Sequence, residues 1–209
     1  MRDRSKVYVV VVALVLVLGL MIFVIKNLNT GDEINGELDK VEVASENGKI
    51  SALFKAHGLI PLNNEEGAYG YGIITNKGTD AVIVSTTHSG VLDSELQRDE
   101  NDPVWHNHLV KLGEVEECDG NLGVIDITWE SPGKVDVMGS ALEIRDFPSE
   151  FRGTHSLTKK TIYLAPGTRV EKAVRFKLEP KFNEKNELIA VCVTDISEAN
   201  FELRSVNES

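Results

Sequence analysis

Residues Ala68–His88 read AYGYGIITNKGTDAVIVSTTH, and this stretch decides the fold class of the chain. Apolar residues alternate with small or polar ones in two runs, one on each side of Asn76-Lys77-Gly78. Alternation with a period of two is typical of a β-strand with one buried face, and a short Gly-containing turn between two such runs indicates a hairpin. The stretch therefore predicts two antiparallel strands joined by a tight turn.

The same period continues towards the C-terminus. Gly123–Phe147 contains three short runs, and Ser131-Pro132-Gly133 is predicted to turn the chain back between the first two. About eight to ten strands and no helical period in this part argue against a parallel βαβ architecture, which needs long helical crossovers. We predict an all-β domain over residues 41–200, an antiparallel β-sandwich or jelly-roll-like fold, followed by a C-terminal tail at 201–209.

An uncharged apolar run, Val7–Ile25, precedes this domain. Its length of about 19 residues is enough for one transmembrane helix. Three basic residues lie before it, so the positive-inside rule keeps residues 1–6 cytoplasmic and places the β domain on the extracellular or periplasmic side. Residues 26–40 are polar and are predicted to form a stalk. The alternative is a cleaved signal peptide, but the run is longer than a usual h-region and lacks a small-residue cleavage site.

Charge and cysteine content narrow the classes of function. The chain has 22 Lys and Arg against 33 Asp and Glu, a formal net charge of −11, and four of its basic residues lie at or before Lys26. An acidic surface of this kind repels nucleic acid, so nucleic-acid binding is excluded. Cys118 and Cys192 predict one disulfide in an outward-facing domain, with two unpaired thiols as the alternative.

The stretch Asp102–Leu112, DPVWHNHLVKL, contains two histidines one residue apart. In a strand, His106 and His108 point to the same side as Val110, which we expect to face the core. Two imidazoles on one strand face can chelate copper or zinc, and His88, at the end of a neighbouring strand, is the candidate third ligand. The alternatives are a structural pair with its own hydrogen bonds and general acid/base catalysis.

Two further groups of carboxylates are candidate metal ligands. Glu114 shares the parity of His106 and His108, but it lies too far along the strand for the HxH-plus-carboxylate spacing of a cupin metal motif. The acidic loop around Asp93, Glu95, Asp99 and Asp102 is a candidate calcium site, although it lacks the spacing of an EF-hand. The alternative for this loop is a solvated acidic segment.

The run from Gly67 to Ile196, with AYGYGI, AVIVSTTHSGVLDSE, DPVWHNH, VIDITWESPG and AVCVTDI, resembles a family of secreted or membrane-anchored proteins of uncharacterised function in ammonia-oxidising archaea. The resemblance implies an archaeal cell-surface setting and a copper-rich physiology. It brings no established activity and no assigned site residues.

Three functions are compatible with the sequence. The first is a membrane-anchored, extracytoplasmic binding domain that holds copper or zinc through the HxH pair. The second is a structural or adhesive module that contacts other cell-envelope proteins without metal. The third is a metal-dependent or histidine-based enzyme, although no GxSxG elbow and no phosphate-binding glycine loop are present.

Overall fold

A computed structural model describes residues 38–63, 67–199 and 201–204. The predicted cytoplasmic segment 1–6, the predicted anchor 7–25 and nearly all of the predicted stalk lie outside the described residues. Within the described part of the chain, no helix is long and apolar enough to cross a membrane.

The described residues form thirteen strands and one short 3-10 helix, Glu116–Cys118. The strands are β1 Leu38–Glu46, β2 Lys49–Ala56, β3 Tyr69–Thr75, β4 Gly78–Thr87, β5 His106–Glu114, β6 Leu122–Ile127, β7 Lys134–Met138, β8 Ala141–Pro148, β9 Phe151–Thr154, β10 Thr161–Leu164, β11 Val170–Phe182, β12 Leu188–Ala199 and β13 Phe201–Leu203. The all-β prediction is confirmed. The strands extend beyond 41–200 at both ends, because Leu38 begins β1 and β13 lies in the predicted tail.

Six strands close into a barrel in the order β11-β12-β6-β5-β4-β3, and every neighbouring pair is antiparallel. This closure differs from the expected sandwich or jelly roll, because β3 pairs with β11 as well as with β4. The predicted β3–β4 hairpin is confirmed, with Gly78 at a φ of +61° in its turn. The β6–β12 junction is the shortest in the barrel, with only two paired positions, Cys192 with Gly123 and Val193 with Leu122.

A five-stranded sheet, β13-β1-β2-β8-β7, lies beside the barrel, and β9 and β10 form a separate pair. The β1–β13 pairing is parallel, and the other pairings of this sheet are antiparallel. The predicted hairpin at Ser131-Pro132-Gly133 is wrong, because β6 belongs to the barrel and β7 pairs with β8 in the sheet. The chain crosses from one layer to the other at this point.

Apolar side chains form two separate clusters. The larger, which we call the sheet core, joins the five-stranded sheet to one wall of the barrel and includes Phe54, Ile144, Tyr71 and Leu109. The smaller, which we call the barrel cluster, consists of Val82, Val84, Val110, Val174, Phe176 and Val193. Alternate residues of β4 and β5 belong to different clusters, so these two strands separate the sheet core from the barrel interior.

Candidate metal centre

The β4–β5 pair brings three histidines to one end of the barrel. Thr86 of β4 lies opposite His106 of β5, and Val84 lies opposite His108. His88 follows the last residue of β4, so it comes to the same end as the start of β5. His106 and His108 are alternate residues and share the side of Val110, which belongs to the barrel cluster. The prediction that His106 and His108 share one face of the strand with Val110 is confirmed.

The loop that joins β4 to β5 adds a carboxylate to these rings. Gln97, which is buried, accepts hydrogen bonds at Oε1 from the backbone N–H groups of Asp93 (3.0 Å) and Ser94 (3.1 Å). Its Nε2 donates to the carbonyls of Val91 (3.1 Å) and Asp102 (3.3 Å). Four bonds from one side chain therefore fix the loop backbone, and they turn Asp93 towards the histidines.

Asp93 and the three histidines form a compact cluster, which we call the histidine–aspartate quartet. Oδ1 of Asp93 lies 3.3 Å from Nε2 of His88, 3.5 Å from Nε2 of His106 and 3.7 Å from Nε2 of His108. One ligand atom from each residue lies within 4.8 Å of all the others. His106 and His108 are fully buried, and His88 and Asp93 are 6% and 8% exposed. Four potential ligand atoms thus converge, and those of Asp93, His106 and His108 are shielded from solvent.

Backbone carbonyls determine which ring nitrogen carries the proton in the two strand histidines. Nδ1–H of His106 donates to the carbonyl of Val104, and Nδ1–H of His108 donates to the carbonyl of Thr128, each at 2.7 Å. A carbonyl can only accept, so the proton of each neutral ring is on Nδ1. The Nε2 atom then presents a lone pair towards the quartet. An outer hydrogen bond of this kind is the usual support of a metal-ligating histidine.

The inner atoms of the quartet are not satisfied by the protein. Nε2 of His106, Nε2 of His108 and Oδ1 of Asp93 are buried and have no hydrogen-bond partner of acceptable geometry. A buried polar atom without a partner costs about 1–3 kcal/mol, and a charged one costs more. Three such atoms aimed at one point indicate a group that the polypeptide does not supply. In a purely structural histidine pair, the buried ring nitrogens are usually all hydrogen-bonded.

The electrostatics of the quartet favour a neutral His108 and an ionised Asp93. Burial, and then the neighbouring His106, lower the pKa of His108 to about 3. Burial alone raises the pKa of Asp93, but the adjacent side chains of His106, His88 and His108 outweigh this effect and hold that pKa well below its usual range. Neutral imidazole and carboxylate are the protonation states that bind metal ions.

Three nitrogens and one oxygen suit a transition metal. In a tetrahedral site with bonds of about 2.0–2.1 Å, neighbouring ligand atoms are about 3.4 Å apart. The three distances from Asp93 Oδ1 to the histidine nitrogens agree with that spacing. Imidazole donors suit zinc, copper and iron, whereas calcium takes six to eight oxygen ligands. The quartet could therefore hold a metal ion, and its three nitrogen donors suit a transition metal better than calcium.

The other predicted ligands lie elsewhere. Glu114 is exposed at the opposite end of β5 and is not part of the quartet. The predicted calcium loop does not converge, because each of its other carboxylates has a separate partner. Glu95 accepts a hydrogen bond from Ser131 N–H, Asp99 from Asn101 N–H, and Asp102 from Arg98. Of the acidic residues proposed for calcium, only Asp93 lies in a cluster that can hold a metal among the described residues.

Sequence reasoning found the three histidines but did not join Asp93 to them. The sequence did contain one signal for Asp93 as a ligand, which is its proximity to His88: it is the first acidic residue after that histidine. Gln97 gave no signal, because its role depends entirely on the folded loop. The predicted disulfide is confirmed between Cys118 and Cys192, and it lies at the short β6–β12 junction.

A cavity of about 290 Å³ occupies the barrel interior and reaches the quartet at His88, Asp93 and His108. Most of its wall is apolar and comes from the barrel cluster and from further residues of β6, β11 and β12. The quartet therefore lies at the end of an apolar chamber.

Comparison with protein-family models, with curated proteins and with solved structures finds no match to this chain. The geometry of the site itself therefore provides the evidence for function.

Proposed function

We propose that this domain binds one transition-metal ion, zinc or copper, through His88, Asp93, His106 and His108. The observation that carries the proposal is the convergence of three buried, unpartnered atoms on one point, with the outer Nδ1 atoms of the strand histidines already bonded to backbone carbonyls. Four protein ligands are typical of closed zinc sites, whereas catalytic zinc usually has three. The donor number therefore favours metal binding over hydrolytic catalysis.

The setting that we propose is the outer face of a membrane. The apolar run Val7–Ile25 and the basic residues before it support a single-pass anchor with a cytoplasmic N-terminus. The Cys118–Cys192 disulfide supports an oxidising compartment for the domain, because disulfides are rare in the cytosol. Holding, delivering or sensing copper or zinc at a cell surface, archaeal if the resemblance applies, is compatible with this arrangement.

Elemental analysis of the full chain in lipid nanodiscs tests the metal proposal. After incubation with zinc or copper and removal of the excess, we expect about one equivalent of metal per chain. Asp93→Asn preserves the shape of the side chain but removes its charge. It should weaken metal binding by about a hundredfold or more, because losing a ligand costs at least as much affinity as losing a residue that supports a ligand. The double variant His106→Ala/His108→Ala should abolish it.

His57→Ala is the matched control for these variants. His57 is an exposed histidine that pairs with Asp39 and is not part of the quartet. This variant should bind metal as the parent does. If the parent takes up no zinc and no copper while its circular dichroism shows a folded β-protein, the metal proposal is wrong. The structural or adhesive envelope module would then be the better reading.

A further inference from the structure

The chamber beside the quartet has the composition of a ligand site. Its interior wall includes Val84, Val110, Val174 and Phe176, and the described residues that line it include no lysine, arginine or glutamate. The polar residues on the wall are three members of the quartet and five others, and the rest of the wall is apolar: His88, Asp93, His108, Thr79, Thr86, Ser89, His155 and Ser156. A molecule that fits this wall has a mostly apolar body and a polar group that reaches the quartet.

Its volume limits the size of that molecule. An apolar cavity of about 150 Å³ is known to hold benzene, which has six carbons. A cavity of 290 Å³ accordingly holds roughly twelve non-hydrogen atoms. This corresponds to a medium-length alkyl chain with a small head group, and it is smaller than a membrane lipid.

The net charge of the metal-loaded quartet determines which head group the chamber can bind. Three neutral imidazoles and one carboxylate around a divalent ion leave a net charge of about +1 at the end of the chamber. A monoanion neutralises this charge, and zinc can take a fifth ligand. Without the metal, the Asp93 carboxylate would repel an anion, and the chamber offers no cationic side chain to offset that repulsion.

An entrance is present at the exposed edge of the chamber. Leu157, Ile189 and Ile196 line the cavity and are 78%, 47% and 48% exposed. Ile189 and Ile196 belong to β12, which is joined to β6 at only two positions. Exposed apolar side chains at the rim of an apolar cavity are typical of a ligand entrance.

We propose that the barrel interior binds a medium-chain monocarboxylate, with its alkyl chain along the barrel cluster and its carboxylate at the metal held by the quartet. This inference rests on the metal-binding function proposed above. It adds the chemical class of a second ligand and the route by which that ligand enters.

Cobalt(II) and decanoate test the inference in the full chain in nanodiscs. Cobalt replaces zinc and gives a visible spectrum that changes when its coordination changes, so the signal reports only ligands at the metal. Decanoate should change this spectrum saturably, whereas decyltrimethylammonium, which has the same chain and a cationic end, should leave it unchanged. Shorter carboxylates should bind more weakly, by about fourfold for each CH₂ removed.

Two variants examine the entrance. Ile189→Glu places a negative charge at the rim on an already exposed side chain, and it should weaken decanoate binding by about tenfold while cobalt still binds. Met138→Glu is the matched control, since Met138 is 60% exposed on β7 and does not line the cavity. This control should bind decanoate as the parent does.

The outcomes separate the two proposals. Cobalt uptake with no spectral response to decanoate would overturn the carboxylate inference and leave the metal site in place. Equal responses to acetate and decanoate would also overturn it, because the chamber would then play no part. If the folded protein binds none of cobalt, zinc and copper, both proposals fail.

Discussion

The sheet core and the barrel interior differ although strands β4 and β5 contribute to both. Leu109 of β5 packs in the sheet core with Phe54 and Tyr71, whose rings are 5.4 Å apart. One residue to either side, His108 and Val110 face a chamber that the protein does not fill. Protein interiors are usually packed to the density of organic crystals, so an apolar void next to unsatisfied polar atoms has a cost in stability. We infer that the sheet core provides stability and the barrel interior provides function.

The largest expected effect concerns the sheet core. Phe54→Ala removes a fully buried ring and should lower the free energy of unfolding by about 3–5 kcal/mol. Zinc uptake by the folded fraction should not change, because Phe54 lies in the sheet core and is not part of the quartet. Denaturant titration with a metal assay on the same samples measures both quantities. A loss of zinc from folded protein would show that the two regions are not independent.

Acidification should weaken the metal-free domain through the quartet. The pKa of His108 is about 3 in the fold, below the value of about 6.5 in an unfolded chain. The unfolded state therefore binds more protons than the folded state between these values, and stability should fall by up to a few kcal/mol as the pH drops from about 6.5 towards 3. Denaturant titration of metal-free protein across this range measures the effect, and a flat profile would contradict the neutral His108. The variant His108→Asn should reduce this dependence of stability on pH.

Gln97→Ala should weaken metal binding without removing a ligand. The change eliminates the four hydrogen bonds that hold the loop around Asp93, and loss of an outer support of this kind typically costs 10–100-fold in metal affinity. Competition with a chromogenic chelator measures the affinity. Gln97→Glu retains the acceptor of the Asp93 and Ser94 bonds but places a carboxylate oxygen against the carbonyls of Val91 and Asp102, so it should also lose affinity. Equal affinity in all three proteins would show that the loop does not position Asp93.

The smallest expected loss of stability is for a substitution in the barrel cluster. Val110→Ala enlarges an existing cavity, so it should cost only about 1 kcal/mol, less than core truncations that create new cavities. Chemical denaturation measures the difference from Phe54→Ala directly. A loss as large as that of Phe54→Ala would mean that the chamber wall stabilises the fold as much as the sheet core does.

Local pattern was sufficient to predict much of this fold. Alternation around Asn76-Lys77-Gly78 predicted the β3–β4 hairpin, and the parity of the HxH pair predicted which face it occupies. Closure of the barrel could not be predicted, because it depends on pairing of β3 with β11, about 100 residues apart, and no local residue determines that partner. The same limit explains the wrong hairpin at Ser131-Pro132-Gly133, where a turn signal marks a crossing between layers.

The site was predictable to the extent that it is local. His88 follows a strand that pairs with the strand of His106 and His108, and the period-two pattern carries this information. Asp93 was one of several acidic residues in a loop, and charge alone does not distinguish them. The hydrogen bonds of Gln97 make the distinction, and they exist only once the loop has folded.

The short distance between the quartet residues in the chain has a consequence for the order of folding. All four lie within about 20 residues, on one strand pair and its loop, whereas closing the barrel requires β3 to meet β11. Closing a short loop costs less entropy than closing a long one, so the β4–β5 unit can form before the barrel closes. A metal ion that enters at this stage would crosslink the nascent hairpin and act as a nucleus on which the later strands assemble.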